Sequence, residues 1–164
     1  MTKMIVLLSP SKNLHNIPQP AHRYSLPRMP EESAMLIESL KKLKATQIQE
    51  LMDINDNLAR LNYNRYHTFT WPHTADNSTA AIYTFRGEVY QGFDANTMTK
   101  PQAEQADKYV RILSGLYGVL KPLDKIYPYR LEMGTKLPVE DKNNLYQFWG
   151  NTVVDTINEE LSEK

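Results

Sequence analysis

The sequence predicts an α/β (or α+β) domain. Residues 4–8 form a short apolar run stopped by Ser9-Pro10, as a buried strand would be. Residues 80–85 are a second run rich in strand formers. Between and after these runs, apolar residues recur at steps of three and four, the helical period. With 164 residues, 41% hydrophobic, the chain suits one domain, 1–164.

The elements follow in order. Residues 15–30 hold four of the ten prolines and read as an extended crossing segment. In 31–44, Met35, Leu36, Leu40 and Leu43 share helical spacing. Thr46 starts a second helix, with Gln49 in the capping-box position. Asn55 or Asp56 caps a third, running to about His67 with Leu58 and Leu61 on its apolar face. Residues 70–79 form a loop, and after the strand at 80–85 Val89 and Tyr90 continue it beyond Gly87. Pro101 suits a first helical turn. Ala103, Ala106, Val110 and Leu113 then predict a helix over 102–113, broken at 114–118, with a short helical stretch over 119–123. Residues 126–139, with Pro128, Gly134 and Pro138, read as irregular with a strand at 129–133. The last helix spans 151–161, with Val153, Val154, Ile157 and Leu161 inward.

Nineteen basic residues balance nineteen acidic ones, but unevenly along the chain. Segments 1–30 and 100–130 carry +4 and +3, while 31–99 and 131–164 carry −3 and −4. A neutral whole can present a basic cleft, because binding responds to local potential. The absence of cysteine excludes a disulfide scaffold, a thiolate metal site and a thiol nucleophile. No apolar run approaches a membrane span or a signal-peptide core, so a cytoplasmic protein without a membrane partner is expected.

The sharpest local pattern is YVRILSGLYGVLK at 109–121. A helix ending at two glycines that frame an apolar pair, followed by a second helix, is a helix-hairpin-helix layout. The amides of residues 118–120 would then face a phosphate, with Arg111 and Lys121 beside them. A plain helix cap and turn fits the same glycines. In YPYRLEMG at 127–134, Arg130 and Glu132 share one face of an extended segment and suit a polar ligand or a salt bridge. Lys12, in Ser9-Pro10-Ser11-Lys12, and Arg86 after the second strand sit where open α/β sheets place ligand loops. The aromatics of YQFWG at 146–150 suit core packing better than base stacking. The histidines His15, His22, His67 and His73 show no metal-site spacing, and no nucleophile elbow is present, so no cofactor, metal or catalytic residue is assigned.

Read together, the blocks LSPSKNL (8–14), RYSLP (23–27), LMDINDNLARLNYNRYHTF (51–69), FRGEVYQGF (85–93), ILSGLYGVLKPLDKIYPYRLEMGTKL (112–137) and LYQFWG (145–150) resemble the YaaA family of bacterial peroxide-stress proteins. The resemblance implies a cytoplasmic protein that limits intracellular iron and so oxidative damage. It implies an unusual α/β-type fold with a helix-hairpin-helix-like element and a positively charged cleft that binds duplex and branched DNA, and no firmly assigned enzyme activity. Family chains continue past the LYQFWG helix into a strand-rich segment, so this chain reads as incomplete at its C-terminus. A sheet edge left open by missing strands would invite self-association.

The leading expectation is therefore a sequence-tolerant DNA-binding stress protein that uses Lys12, Arg23, Arg111, Ser114, Gly115, Tyr117, Gly118, Lys121 and Arg130. The alternative is an enzyme acting on a nucleotide-like small molecule. It would use a pocket of Ser9, Lys12, Arg86, Tyr129, Arg130 and Glu132, with Glu132 as general base. Lys12 and Glu132 facing one cavity, with the hairpin turned elsewhere, would favour the alternative.

Overall fold

The structure is a computed structural model that describes residues 4–15 and 23–162. Lys3, His22, Lys164 and the 16–22 part of the expected crossing segment lie outside the described residues. The first elements are β1 (Val6–Leu8), β2 (Asn13–Leu14), α1 (Pro30–Lys41), α2 (Ala45–Met52) and α3 (Asp56–Thr68). Next come β3 (Thr79–Ala80), α4 (Ala81–Thr84), β4 (Phe85–Arg86), α5 (Glu88–Phe93) and, after a 3-10 turn, α6 (Lys100–Tyr109). The last are β5 (Val110–Ser114), β6 (Gly118–Leu120), β7 (Lys125–Ile126), α7 (Leu145–Trp149) and α8 (Thr152–Ser162).

The mixed α/β class holds. The main sheet has the order β1-β5-β6, with β1 parallel to β5 and β5 antiparallel to β6. Two small antiparallel pairs, β2 with β4 and β3 with β7, fasten the flanking loops. The core packs Leu36, Ile37 and Leu40 of α1, Ile48 of α2 and Tyr66 of α3 against Ile112, Val119, Leu120 and Trp149. Asn55 caps α3 by accepting from the Leu58 amide at 2.9 Å.

Several expectations need correction. β1 is an edge strand, not a buried one: Val6 and Leu7 are 41% and 48% exposed because β1 is paired on one side alone among the described residues. The helix expected over 102–113 ends at Tyr109, and Val110 and Leu113 belong to β5. Almost every residue of β5 is buried, so no alternation betrays it, and its apolar positions continue the helical count by coincidence. The strand expected over 80–85 is interrupted by one helical turn, α4, and Val89 and Tyr90 lie in helix α5. Residues 119–123 form a strand end and a turn, and 129–133 has no ladder partner among the described residues, so it is a strap. α2 begins one residue early, where the Lys44 amide donates to Gln47 Oε1 at 2.8 Å. Leu61 and Val154 face outward, and Ala59 and Asn62 take the buried face of α3.

One buried network sets a pH dependence. Tyr127 donates its amide to the Tyr117 hydroxyl at 3.0 Å. That hydroxyl donates to His73 Nε2 at 2.8 Å, and His73 Nδ1–H donates to the Thr70 carbonyl at 3.0 Å. Both ring nitrogens are thereby used by a neutral imidazole. Burial holds His73 down to about 4, the Thr70 bond opposing it. The unfolded chain takes up this proton first, so stability is full above about pH 6.5 and falls as pH drops toward 4. We expect a loss of about 2 kcal/mol between pH 7 and pH 5. Denaturant unfolding of wild type and His73→Gln at both pH values checks this. An equal pH response in the two proteins would refute it, and the comparison removes the opposing effect of Asp124, whose carboxyl burial pushes up.

Candidate functional site

The site lies outside the carboxyl end of β1, where the parallel pair β1–β5 stops and the chain turns away. The 9–12 loop is fixed at both ends. The Tyr90 hydroxyl donates to the Ser9 carbonyl at 2.6 Å, and β2 pairs with β4. Facing the loop is the 129–134 strap. Its Tyr129 hydroxyl bonds Ser114 Oγ at 2.6 Å, and the Arg130 carbonyl accepts from the buried Tyr66 hydroxyl. Burial pushes the Tyr129 phenol up, with the Ser114 bond opposing, so it stays protonated and structural.

Loop and strap line a half-open cavity of about 310 Å³. Pro10, Leu131, Met133 and the Tyr129 ring give it apolar walls, and Lys12, Arg130 and Glu132 are its charged groups. Lys12 Nζ lies 3.1 Å from Glu132 Oε1, and Arg130 Nη2 lies 3.8 Å from Glu132 Oε2. Two cations around one carboxylate leave the cavity net positive. Apolar walls beside Lys12 and Arg130 suit a small molecule bearing a negative group.

Five of the six residues expected in a pocket, Ser9, Lys12, Tyr129, Arg130 and Glu132, meet here, and Arg86 does not line the cavity. Pro10, Ser11, Leu131, Met133 and Gly134 were not among the expected residues, although the SPSK and RLEMG blocks contain all of them.

The helix-hairpin-helix does not form. Residues 110–120 are the β-hairpin of β5 and β6, with Ile112, Leu113 and Ser114 opposite Leu120, Val119 and Gly118. Leu116, Tyr117, Val119 and Leu120 are wholly buried, and Ser114 nearly so. The Tyr117 amide donates to Ser114 Oγ at 3.0 Å. Gly118 has φ +72°, the left-handed conformation that closes the turn, and packs on Met29 and Trp149. A Cβ on Gly115 would lie 2.2 Å from the Leu131 carbonyl oxygen. The hairpin is therefore a buttress behind the strap, and its glycines serve close packing instead of a phosphate.

The cations expected to share one cleft are dispersed. Arg111 is buried against Glu160, its Nε 2.8 Å from Oε2. Arg23 and Lys121 line a second groove of about 440 Å³ with Glu104 and Asp107, and Lys121 Nζ is 3.9 Å from Asp107. Lys12 and Arg130 stand at the first cavity. Among the described residues, no group of three or more His, Asp or Glu side chains could hold a metal ion. Nor is any helix of the described residues long and apolar enough to cross a membrane.

Residues 4–164 match the family described as Peroxide stress protein YaaA. A UPF0246 protein of Marinomonas sp. (strain MWYL1) is 48% identical over 161 residues, covering 98% of this chain and 62% of that relative. A UPF0246 protein of Ralstonia nicotianae is 49% identical over 156 residues, covering 94% of this chain and 61% of the relative. One of Burkholderia lata is 43% identical over 162 residues, 98% of this chain and 62% of its own. The chain thus spans about three fifths of the length of these relatives.

Proposed function

The chain belongs to the peroxide stress protein YaaA family, and we propose that it serves that response by binding a nucleotide-like small molecule between Lys12, Arg130 and Glu132. The observation that carries this reading is the convergence of those three side chains on one cavity while the glycine hairpin faces the core. The apolar walls would take a base, and the cationic pole an anionic group. Protection against iron-dependent oxidative damage is the process in which we place this binding.

Duplex DNA is the competing ligand. The exposed cations Lys12 and Arg23 and the part-exposed Lys121 would contact it without a hairpin, but they lie in two separate concavities and two of them face carboxylates. This dispersal favours the small molecule.

Calorimetric titration with adenosine and guanosine nucleotides tests the proposal, with labelled duplex at two salt concentrations as the comparison. Saturable nucleotide binding is expected, weakened about tenfold by Lys12→Ala, equivalent to about 1.4 kcal/mol. Duplex binding that falls steeply with salt, with no saturable binding of any nucleotide, would replace the small molecule by nucleic acid.

A further inference from the structure

Arg130 is unusual among the charged groups of this cavity. Its side chain is 14% exposed, yet its buried Nε has no hydrogen-bond partner among the described residues. Nε and Nη2 form the side-on fork of a guanidinium, the edge that grips two oxygens of one oxyanion. Among the described residues the carboxylate paired with that fork is Glu132, and its Oε2 stops 3.8 Å from Nη2, beyond hydrogen-bond distance. Glu132 is drawn the other way by Lys12, at 3.1 Å. A buried donor left unmade costs folding free energy, and a guanidinium more than a neutral group. The backbone beneath is fixed, with the Arg130 carbonyl bonded to Tyr66 and Leu131 pressed against Gly115. The fork is thus presented by a rigid strap, whereas Glu132 and Lys12, 45% and 60% exposed, are free to turn.

We infer that the Arg130 fork is the seat of a terminal phosphate, a phosphomonoester dianion, and that Glu132 is an internal stand-in that yields to it. This rests on the nucleotide reading above and names the part of the ligand that is recognised. A phosphomonoester satisfies Nε and Nη2 together, and Lys12 neutralises a third oxygen. Glu132 must then turn outward, since two anions on one fork repel.

The experiment titrates wild type, Glu132→Gln and Arg130→Lys with a nucleoside monophosphate, the matching nucleoside, and a short oligonucleotide lacking a terminal phosphate. In wild type the monophosphate binds at least tenfold tighter than the nucleoside or the oligonucleotide. Glu132→Gln binds it several-fold tighter still, because the competing anion is gone. Arg130→Lys lowers its affinity to that of the nucleoside. Nucleoside and monophosphate binding equally, the oligonucleotide matching the monophosphate, or Glu132→Gln weakening the monophosphate would each overturn the phosphate seat. The first of these would leave the small-molecule reading standing. Should none of the three ligands bind wild type, both readings fall together. Arg130→Lys is judged only where its thermal unfolding matches wild type, and Glu132→Gln, at a half-exposed position, decides the matter otherwise.

Discussion

Gly115→Ala is expected to cost about 3 kcal/mol or more of folding stability, at or above the upper end for overpacking a core. The added Cβ would lie 2.2 Å from the Leu131 carbonyl oxygen and 3.1 Å from the carbonyl carbons of Leu131 and Glu132. These are backbone atoms, so no rotamer change relieves the clash. Neither side can withdraw cheaply. The Gly115 carbonyl accepts from Trp149 Nε1 at 3.0 Å, which holds the hairpin from behind. The strap is held by Tyr66 at the Arg130 carbonyl and by Ser114 at the Tyr129 hydroxyl. Any molecule in which the methyl is accommodated has moved the strap that carries Arg130 and Glu132, so ligand binding falls with stability. Gly92→Ala is the control, because a Cβ there meets nothing within 4 Å and the position is helical. It should leave stability unchanged or raise it by up to about 1 kcal/mol. Denaturant unfolding of the two variants decides the point. Gly115→Ala within about 0.5 kcal/mol of wild type would remove the buttress role from the hairpin.

Glycine spacing alone could not have announced that role. Gly115 and Gly118 are compatible with a phosphate-gripping bend, a helix cap or a tight β-turn, and what selects among these is the chain that crosses behind. Here it is the 129–132 strap at Gly115, and Met29 with Trp149 at Gly118. The helices were readable because their signals are local: Asn55 before α3, Pro101 in the first turn of α6, and Leu36 and Leu40 four apart in α1. β5 was not, because its register is set by β1, about a hundred residues earlier, and its burial on both faces erases alternation. The cavity was legible as chemistry, since Lys12, Arg130 and Glu132 are polar residues beside turn-forming ones. What could not be read was which arginine reaches the site. Arg111 and Arg130 look alike in sequence, and they differ because Glu160 arrives over one of them and no described residue completes the fork of the other.

Glu160→Ala is accordingly expected to destabilise the fold by about 3–5 kcal/mol, the range for removing one member of a buried ion pair. Glu160 binds Arg111 Nε through both oxygens, at 2.8 and 3.1 Å, and Arg28 Nη2 at 2.5 Å. The Arg111 side chain is 5% exposed, so without Glu160 its charge has no solvent to turn to. Its Nη1 stays tied to the Asp107 and Val110 carbonyls at 2.8 and 2.6 Å, which prevents escape. The pair also pins α8, which has no fully buried residue of its own, to the back of β5. Replacing both partners by apolar residues, Arg111→Met with Glu160→Leu, should recover most of the loss, because it removes the stranded charge. Equal destabilisation by the single and double changes would show that packing of α8, not the charge, carries the effect. The same geometry governs how a charge-reversal test of DNA binding must be read. Arg111→Glu would set two carboxylates against each other inside the fold, so lost binding in that variant reports unfolding. Lys121→Glu, at a part-exposed position, is the change whose effect on a duplex reports contact.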